Sequence, residues 1–518
     1  MTDAPAFRSL LIESLVAAAV LAFALFFILH YGNEQIGGMD GGTSASTAWH
    51  YYAGLTPYEQ IHSAVPPLFL IGGKLAYVLF GVRWSSLVYI TALYTALMFA
   101  IAWMVLRVAG MSLFWRAILT LSVLSATTVQ IGWWWYNHTS ALAGAVFISA
   151  IGAAVLVPNR RIIWLLLGVS TCILAMAKPN VAFPLLTGGY ALLLIHRPAR
   201  RNAAIVVSAS AITTILLLFA MDMNPLRMID TYRHATGRLS SELFQRLFVQ
   251  PWTDAITHAT PLFWIAALLL ALQCIAAFAL RNNGSAETRV FVALSLVALL
   301  GSILAMGTNF EWKEPDLAPY VASMIFVAAY VTPIISSRRL IAVLMKELAV
   351  VACVVLIATC DAEAVLRDRI RTVGEGRFYE PAGLTRIEQP DFFKGVIGGP
   401  RLVRVVNELP QVVRAFARPN DLVYFGNRID FAYPMLRVRP APDLPLWWGL
   451  GGEDDPRQLQ ADIANFKHTN FAMYVFLRRD YVGMPRELIQ YLYGDEFAIF
   501  ETPALTVHVP RRRLQRRK

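Results

Sequence analysis

The sequence predicts a polytopic, all-helical membrane protein that ends in a small water-facing α/β domain. Three observations carry this reading. Of the 518 residues, 57% are hydrophobic and only 15% are charged, against about 25% charged in an ordinary soluble domain. The mean hydropathy is +0.52. The charge is also unevenly spread. Residues 359–518 hold 20 of the 34 acids and 24 of the 45 bases, about 27% of that stretch, while the first 358 residues are about 10% charged. The expected division is therefore a membrane domain over 1–358 and an α/β domain over 359–518.

This composition excludes a soluble cytosolic enzyme, a disordered chain and a repeat scaffold. The net charge of +11 does not call for nucleic acid, because Lys and Arg of the membrane part are those expected in cytoplasmic loops. The Arg-rich tail, Arg511 to Lys518, reads as a solvated end. Cys172, Cys274, Cys353 and Cys360 have neither disulfide nor metal-ligand spacing. The first apolar run is not followed by a small-residue cleavage site and is read as a retained span.

A span needs about 20 apolar residues to cross a hydrocarbon core of about 30 Å. Eleven runs qualify: 9–30, 85–106, 112–132, 139–157, 162–178, 181–196, 203–221, 261–280, 290–308, 317–335 and 340–358. A twelfth, 66–81, opens with Pro66-Pro67 and contains Gly72, Gly73 and Lys74. As a helix it would reach about 24 Å, which is short. Charge parity decides its fate. If it does not span, the loops carrying Arg107, Arg160-Arg161, Arg197/Arg200/Arg201, Arg281/Arg289 and Arg338-Arg339 all lie on the side of the N-terminus. The positive-inside rule then gives eleven spans, a cytoplasmic N-terminus, and 66–81 as a helix in the outer interface. The same parity places 31–84, 133–138, 178–180, 222–260, 309–316 and the C-terminal domain outside. In that domain, 403–416, 458–466 and 487–493 read as helices, and 422–425, 471–477, 497–501 and 504–509 as strands.

The first outer segment is the most informative. One acid, Asp40, stands among Gly37, Gly38, Gly41 and Gly42. It is followed by Trp49-His50, Gly54, Pro57-Tyr58, His62, Pro66-Pro67 and Phe80-Gly81. Read as a polar loop, its glycines would let a substrate or another backbone come close, and its carboxylate could act as a general base on a hydroxyl. This pattern resembles the GT-C class of polytopic glycosyltransferases, in particular the bacterial relatives of the protein mannosyltransferase and aminoarabinose transferase families. In these, one span is followed by an outer segment with an acid, Gly-x-x-Pro-Tyr, a Pro-Pro pair and an interfacial helix ending in Phe-Gly. Asp40, Gly54, Pro57-Tyr58, Pro66-Pro67 and Phe80-Gly81 carry the likeness. Two departures concern donor contacts: Gly41 stands where many members have Glu, and His62 lies four positions ahead of the Pro pair rather than beside it.

The resemblance implies transfer of a sugar from a polyprenyl-phosphate carrier to a hydroxyl on the outer face of the membrane. The first-loop acid serves as base, the anomeric configuration is inverted, and cationic or hydrogen-bonding residues surround the departing phosphate. On that basis Asp40 is the catalytic candidate. Lys178, Arg227, Arg233, Arg238 and His62 are donor or phosphate candidates. Trp135, Tyr136, Asn137, His138, Tyr58 and Glu311 are candidates for sugar or acceptor contact.

Plainer roles exist for most of these. The aromatic run 133–136 suits an interfacial belt as well as a sugar wall. Lys178 could simply snorkel. The arginines of 222–260 could pair with Asp230 and Glu242, and the charges of 311–316 could be loop polarity. No Asp-x-Asp, His-x-x-x-His or Cys pair occurs in the outer segments, so no metal ligands are named. The reading requires no cofactor, although it leaves a divalent metal open. The five cytoplasmic loops are too short to build a nucleotide-sugar fold, which favours a lipid-linked donor. The acceptor could be a lipid, a glycan or a protein, and the expected location is the bacterial inner membrane with the C-terminal domain periplasmic. A lipid or glycan transporter without catalysis is the competing class. Such a protein often has matched halves and broken polar helices at mid-membrane, neither of which is evident here.

Overall fold

The computed structural model describes residues 4–34, 36, 38–128, 132–233, 261–280, 285–309, 314–331, 339–370, 383–446, 448 and 456–515. The apolar runs, and the polar segment after the first of them, fold as helices: α1 (Ala4–Tyr31), α2 (Gly38–Tyr52, the polar segment), α3 (Pro67–Phe80), α4 (Trp84–Val108), α5 (Leu113–Thr127), α6 (Tyr136–Leu156), α7 (Arg161–Ala175), α8 (Pro179–Ile195) and α9 (Arg200–Ala220). Helices Pro261–Leu280, Ala286–Asn309, Glu314–Val331 and Arg339–Ile370 follow. Each of the eleven apolar runs coincides with one of these helices. Among the described residues, Arg8–Tyr31, Trp84–Val108, Tyr136–Leu156, Arg200–Ala220 and Ala286–Ala305 are long and apolar enough to cross a membrane. The last helix continues to Ile370, past the expected boundary at 358.

Burial separates the interior of the bundle from its rim. The apolar window of α6 is 94% buried, whereas those of α1 and α9 are 22% buried. Leu15 and Phe26 on α1 and Ile212 and Leu216 on α9 therefore present bare apolar surface, as lipid-facing helices do.

Helices α1 and α4 run antiparallel. At one end, Glu13 accepts from Arg116 at 2.7 Å and pairs with Arg107 at 3.2 Å. At the other, the Trp84 indole N–H donates to the Gly32 carbonyl at 2.8 Å. Both α2 and α3 lie between these two strokes of the chain, at the Gly32/Trp84 end. Helix α3, at 14 residues, is about 21 Å long and too short to cross. It packs on α2 through small residues: a Cβ on Gly73 would lie 2.8 Å from the Ala48 Cβ. The charge within it, Lys74, rests its ammonium 3.9 Å from the centre of the Tyr51 ring of α2.

Beyond the bundle, β4 (Val423–Phe425), β6 (Met473–Leu477), β7 (Phe497–Glu501) and β8 (Leu505–Pro510) form a sheet in the order β4-β6-β8-β7, among the described residues. The first pair is parallel and the others antiparallel. Helices Pro400–Phe416, Pro456–His468 and Arg486–Leu492 complete this α/β region, close to the expected bounds. Two short ladders supplement the sheet. One is the antiparallel pair β2 (Thr385–Arg386) and β3 (Ile397–Gly398). The other is the parallel pair β1 (Ile61–His62) and β5 (Leu444–Pro445), which binds the segment between α2 and α3 to the C-terminal region.

Candidate functional site

Asp40 lies in the first turn of a helix rather than in a loop. The sequence of α2 is a poor helix former, with Gly38, Gly41 and Gly42 and a run of Ser and Thr. Packing overrides that preference. Residues 41–50 are all buried, and several polar side chains turn back on nearby backbone. The His50 Nδ1–H donates to the Ser46 carbonyl at 2.7 Å, and burial holds this imidazole down at about 4, so it is neutral. An acid in the first turn also suits the positive end of the helix dipole.

Ser44, one turn on from Asp40, donates to the Trp134 carbonyl at 2.6 Å. The Trp134 indole in turn donates to the Phe69 carbonyl at 2.8 Å. This ring fills the space left by Gly72, where a Cβ would come within 2.1 Å of it. Thus α2, α3 and the segment before α6 are locked together one turn from Asp40. Trp135 and Tyr136 then pack edge-on against Phe69. The Lys178 ammonium donates to Asn137 Oδ1 at 2.9 Å and sits 5.3 Å from the Tyr136 ring centre. Pro179 opens α8 directly after Lys178, and the Lys178 backbone N–H donates to Ser140 Oγ at 3.0 Å. Four expected residues, Tyr136, Asn137, Lys178 and Trp135, therefore form one cluster. His138 points instead into a small interior cavity lined by Thr91, Tyr94, Thr95, Thr128 and Thr139.

The other candidates lie elsewhere. Arg227 and Arg233 belong to the helical stretch 225–233 and are exposed. That stretch follows α9, whose end meets α2 where Tyr51 donates to the Met221 carbonyl at 2.5 Å. Tyr51 is eleven residues from Asp40, about 17 Å along the helix. Tyr58 has a left-handed backbone (φ 64°). Its hydroxyl donates to the Val65 carbonyl at 2.6 Å, and its ring faces Tyr232. His62 lies 3.6 Å from Asp462 of the C-terminal region while its Nε2–H donates to the Glu59 carbonyl at 3.0 Å. The nearby Asp462 carboxylate raises its pKa. Arg238 and Glu311 lie outside the described residues, as do Glu242 and Asp254. Among the described residues no three His, Cys, Asp or Glu side chains converge as a metal site.

The C-terminal region grips this end of the molecule at several points. The Ile397 N–H donates to the Asn33 carbonyl at 2.9 Å, and the Trp49 indole of α2 donates to the Val438 carbonyl at 2.8 Å. Between them comes a residue that the sequence reading did not single out. Asp430 follows β4 and is 2% exposed. A Cβ on Gly42 would lie 2.2 Å from its Oδ1, so this acid occupies the space that glycine leaves on α2. The Thr43 hydroxyl faces it, and burial is the largest cause of a pKa far above the ordinary carboxyl range. A signal existed: an acid inside the apolar stretch Ile429–Leu436, just past the end of a strand.

No family model and no curated protein matches this chain. Solved structures do. ArnT from Cupriavidus metallidurans, bound to undecaprenyl phosphate, superposes with a TM-score of 0.50 at 13% identity, over 96% of this chain and 97% of that one. The oligosaccharyltransferase of Archaeoglobus fulgidus gives a TM-score of 0.48 at 10% identity, over 88% of this chain and 68% of that one. Both are GT-C glycosyltransferases. The chain thus shares the fold of ArnT along nearly its whole length. With its apolar helices, it is an integral membrane protein.

Proposed function

We propose that this chain is a glycosyltransferase that moves a sugar from a polyprenyl-phosphate donor to a hydroxyl acceptor on the outer face of the bacterial inner membrane, with inversion. The observation that carries the reading is the position of Asp40. It stands at the start of a buried helix, one turn from the contact that leads to Lys178 and Asn137, in a fold superposable on a transferase bound to undecaprenyl phosphate.

In this reading Asp40 takes the acceptor proton. Lys178 is the cation for the departing phosphate, oriented by Asn137. Tyr136 and Trp135 offer ring faces to the sugar or prenyl chain. Arg227 and Arg233, at the far end of α2, serve the carrier or its headgroup surroundings, with Arg238 in the same role. Tyr58, His138 and Glu311 are lesser contacts for sugar or acceptor, and His62 acts from the rim. Eleven spans, a cytoplasmic N-terminus, a membrane domain over 1–358 and a periplasmic domain over 359–518 belong to the same proposal. It needs no cofactor.

The test is to incubate the purified full-length protein with a radiolabelled undecaprenyl-phosphate sugar and a membrane extract as acceptor source. Label passing to a new product supports the reading. Movement of intact lipid-linked sugar between leaflets of a vesicle, with no product, would replace it with a transporter.

A further inference from the structure

The C-terminal region and the bundle meet across two glycines of α2. A Cβ on Gly41 would lie 3.1 Å from the Trp84 ring of α4. A Cβ on Gly42 would lie 2.2 Å from Asp430 Oδ1 and 3.6 Å from the Phe431 ring. The start of α2 is thus held between α4 and the C-terminal region. Further along α2 the same region touches it again. The Tyr433 ring stands edge-on to His50 with ring centres 5.1 Å apart, and the Trp49 indole donates to the Val438 carbonyl. Much of this junction is apolar. Phe431 packs edge-on against Phe393, which lies next to Trp84.

Asp430 is an acid placed inside that junction. It is buried, and both carboxyl oxygens are enclosed without a well-formed hydrogen bond among the described residues. No ion pair reaches it among the described residues, and Arg428 is paired with Asp480 at 2.9 Å. The titratable groups of α2 are Asp40, two residues before Gly42, and His50, which burial keeps neutral. Tyr433 of the short helix Ala432–Leu436 and Tyr424 of β4 are held protonated by burial. Asp391 of the turn Asp391–Phe393 and Arg83 before α4 are exposed. A buried carboxylate with no cation is strongly unfavourable, so Asp430 keeps its proton while it is seated.

We propose that Asp430 is a proton-operated clamp. As a neutral acid it seats the C-terminal region on α2 in the gap left by Gly42, and on losing its proton it leaves that seat for water. The proton passes to solvent, and the carboxylate gains the hydration that the junction denies it. With the clamp open, Asp430 titrates near the ordinary carboxyl value of about 3.9. With the clamp closed, its value is well above that. Between the two, each unit of rising pH favours the open state by about tenfold. The clamp is therefore closed on the acid side and loosens as pH rises. His50 acts in the opposite sense and only near its own value of about 4. The inference concerns the docking of the C-terminal region and holds whether or not Asp40 is a base.

Hydrogen exchange of the full-length protein in detergent tests this without a sugar donor. Protection of 41–50, corrected for the intrinsic exchange rate at each pH, is followed between about pH 5 and 8 in the wild type, Asp430→Asn and Gly42→Ala. In the wild type it should fall by about tenfold per pH unit. In Asp430→Asn, whose side chain cannot ionise, it should not change with pH. In Gly42→Ala the added methyl expels the carboxyl from its seat, so protection should be low at every pH and the slope lost. A flat wild-type profile overturns the clamp, and that measurement decides alone if neither variant folds. A slope that persists in Asp430→Asn also overturns it and assigns the titration to another group, such as His62. Wild-type protection and slope in Gly42→Ala would overturn the seat itself.

Discussion

Three side chains set the character of the site: Asp40, Lys178 and the missing one of Gly42. Asp40 and Lys178 stand out in the sequence because charge is scarce before residue 358, so each charge near a membrane edge invites a reason. Gly42 and Asp430 do not stand out. Their contact joins positions 388 residues apart, and only the folded chain brings a carboxylate oxygen to where a Cβ would be. Gly42→Ala puts a methyl at that point. It should destabilise the protein by about 1–3 kcal/mol, the usual range for overpacking, measured as a fall in apparent Tm, and an unchanged Tm would mean that Asp430 is not seated there. Lys178 makes a different prediction. Lys178→Gln removes the ammonium but retains a hydrogen-bond donor for Asn137. It should raise the KM for the lipid donor by about tenfold, because charge-assisted contacts to phosphate are the strong ones. Lys178→Arg should recover most of that, and an unchanged KM in Lys178→Gln would assign Lys178 to snorkelling.

At the scale of elements, apolar length and period-two alternation were readable signals, and they located the bundle helices and the strands of the α/β region. Helix α2 was not readable. Three glycines and four Ser or Thr give it little intrinsic preference, and its helical state comes from burial against α3, Trp134 and the C-terminal region. The link between β1 and β5 was equally hidden, because two-residue strands leave no pattern. That link carries a pH prediction. The proximity of Asp462 raises the pKa of His62. The contact therefore stabilises fully below the unfolded value of about 6.5, and that contribution is lost as pH rises through the raised folded value. Hydrogen exchange of 456–468 should accelerate over that window in the wild type. In His62→Gln it should be fast throughout and lose this pH response, and a response that persists would place the titrating group elsewhere.

For the whole molecule, the arrangement is a membrane bundle whose helix α2 and following strand β1 are held by a C-terminal α/β region. The ion pairs of Glu13 with Arg107 and Arg116 put the start of α1 and the end of α4 at one level. A reporter fused after residue 110 should accordingly read cytoplasmic, and a periplasmic signal would reverse the assignment of α2 and α3 to the outer face. The fold-level likeness to ArnT covers 96% of the chain at 13% identity, so the chemistry must be argued from the site. The central claim is that Asp40 is the base of a lipid-linked sugar transfer. The most direct measurement compares wild type and Asp40→Asn, both verified as folded, in transfer from radiolabelled undecaprenyl-phosphate sugar. Asp40→Asn should lose about 10²–10⁴-fold in rate with little change in donor binding. Wild-type rates in Asp40→Asn would contradict it.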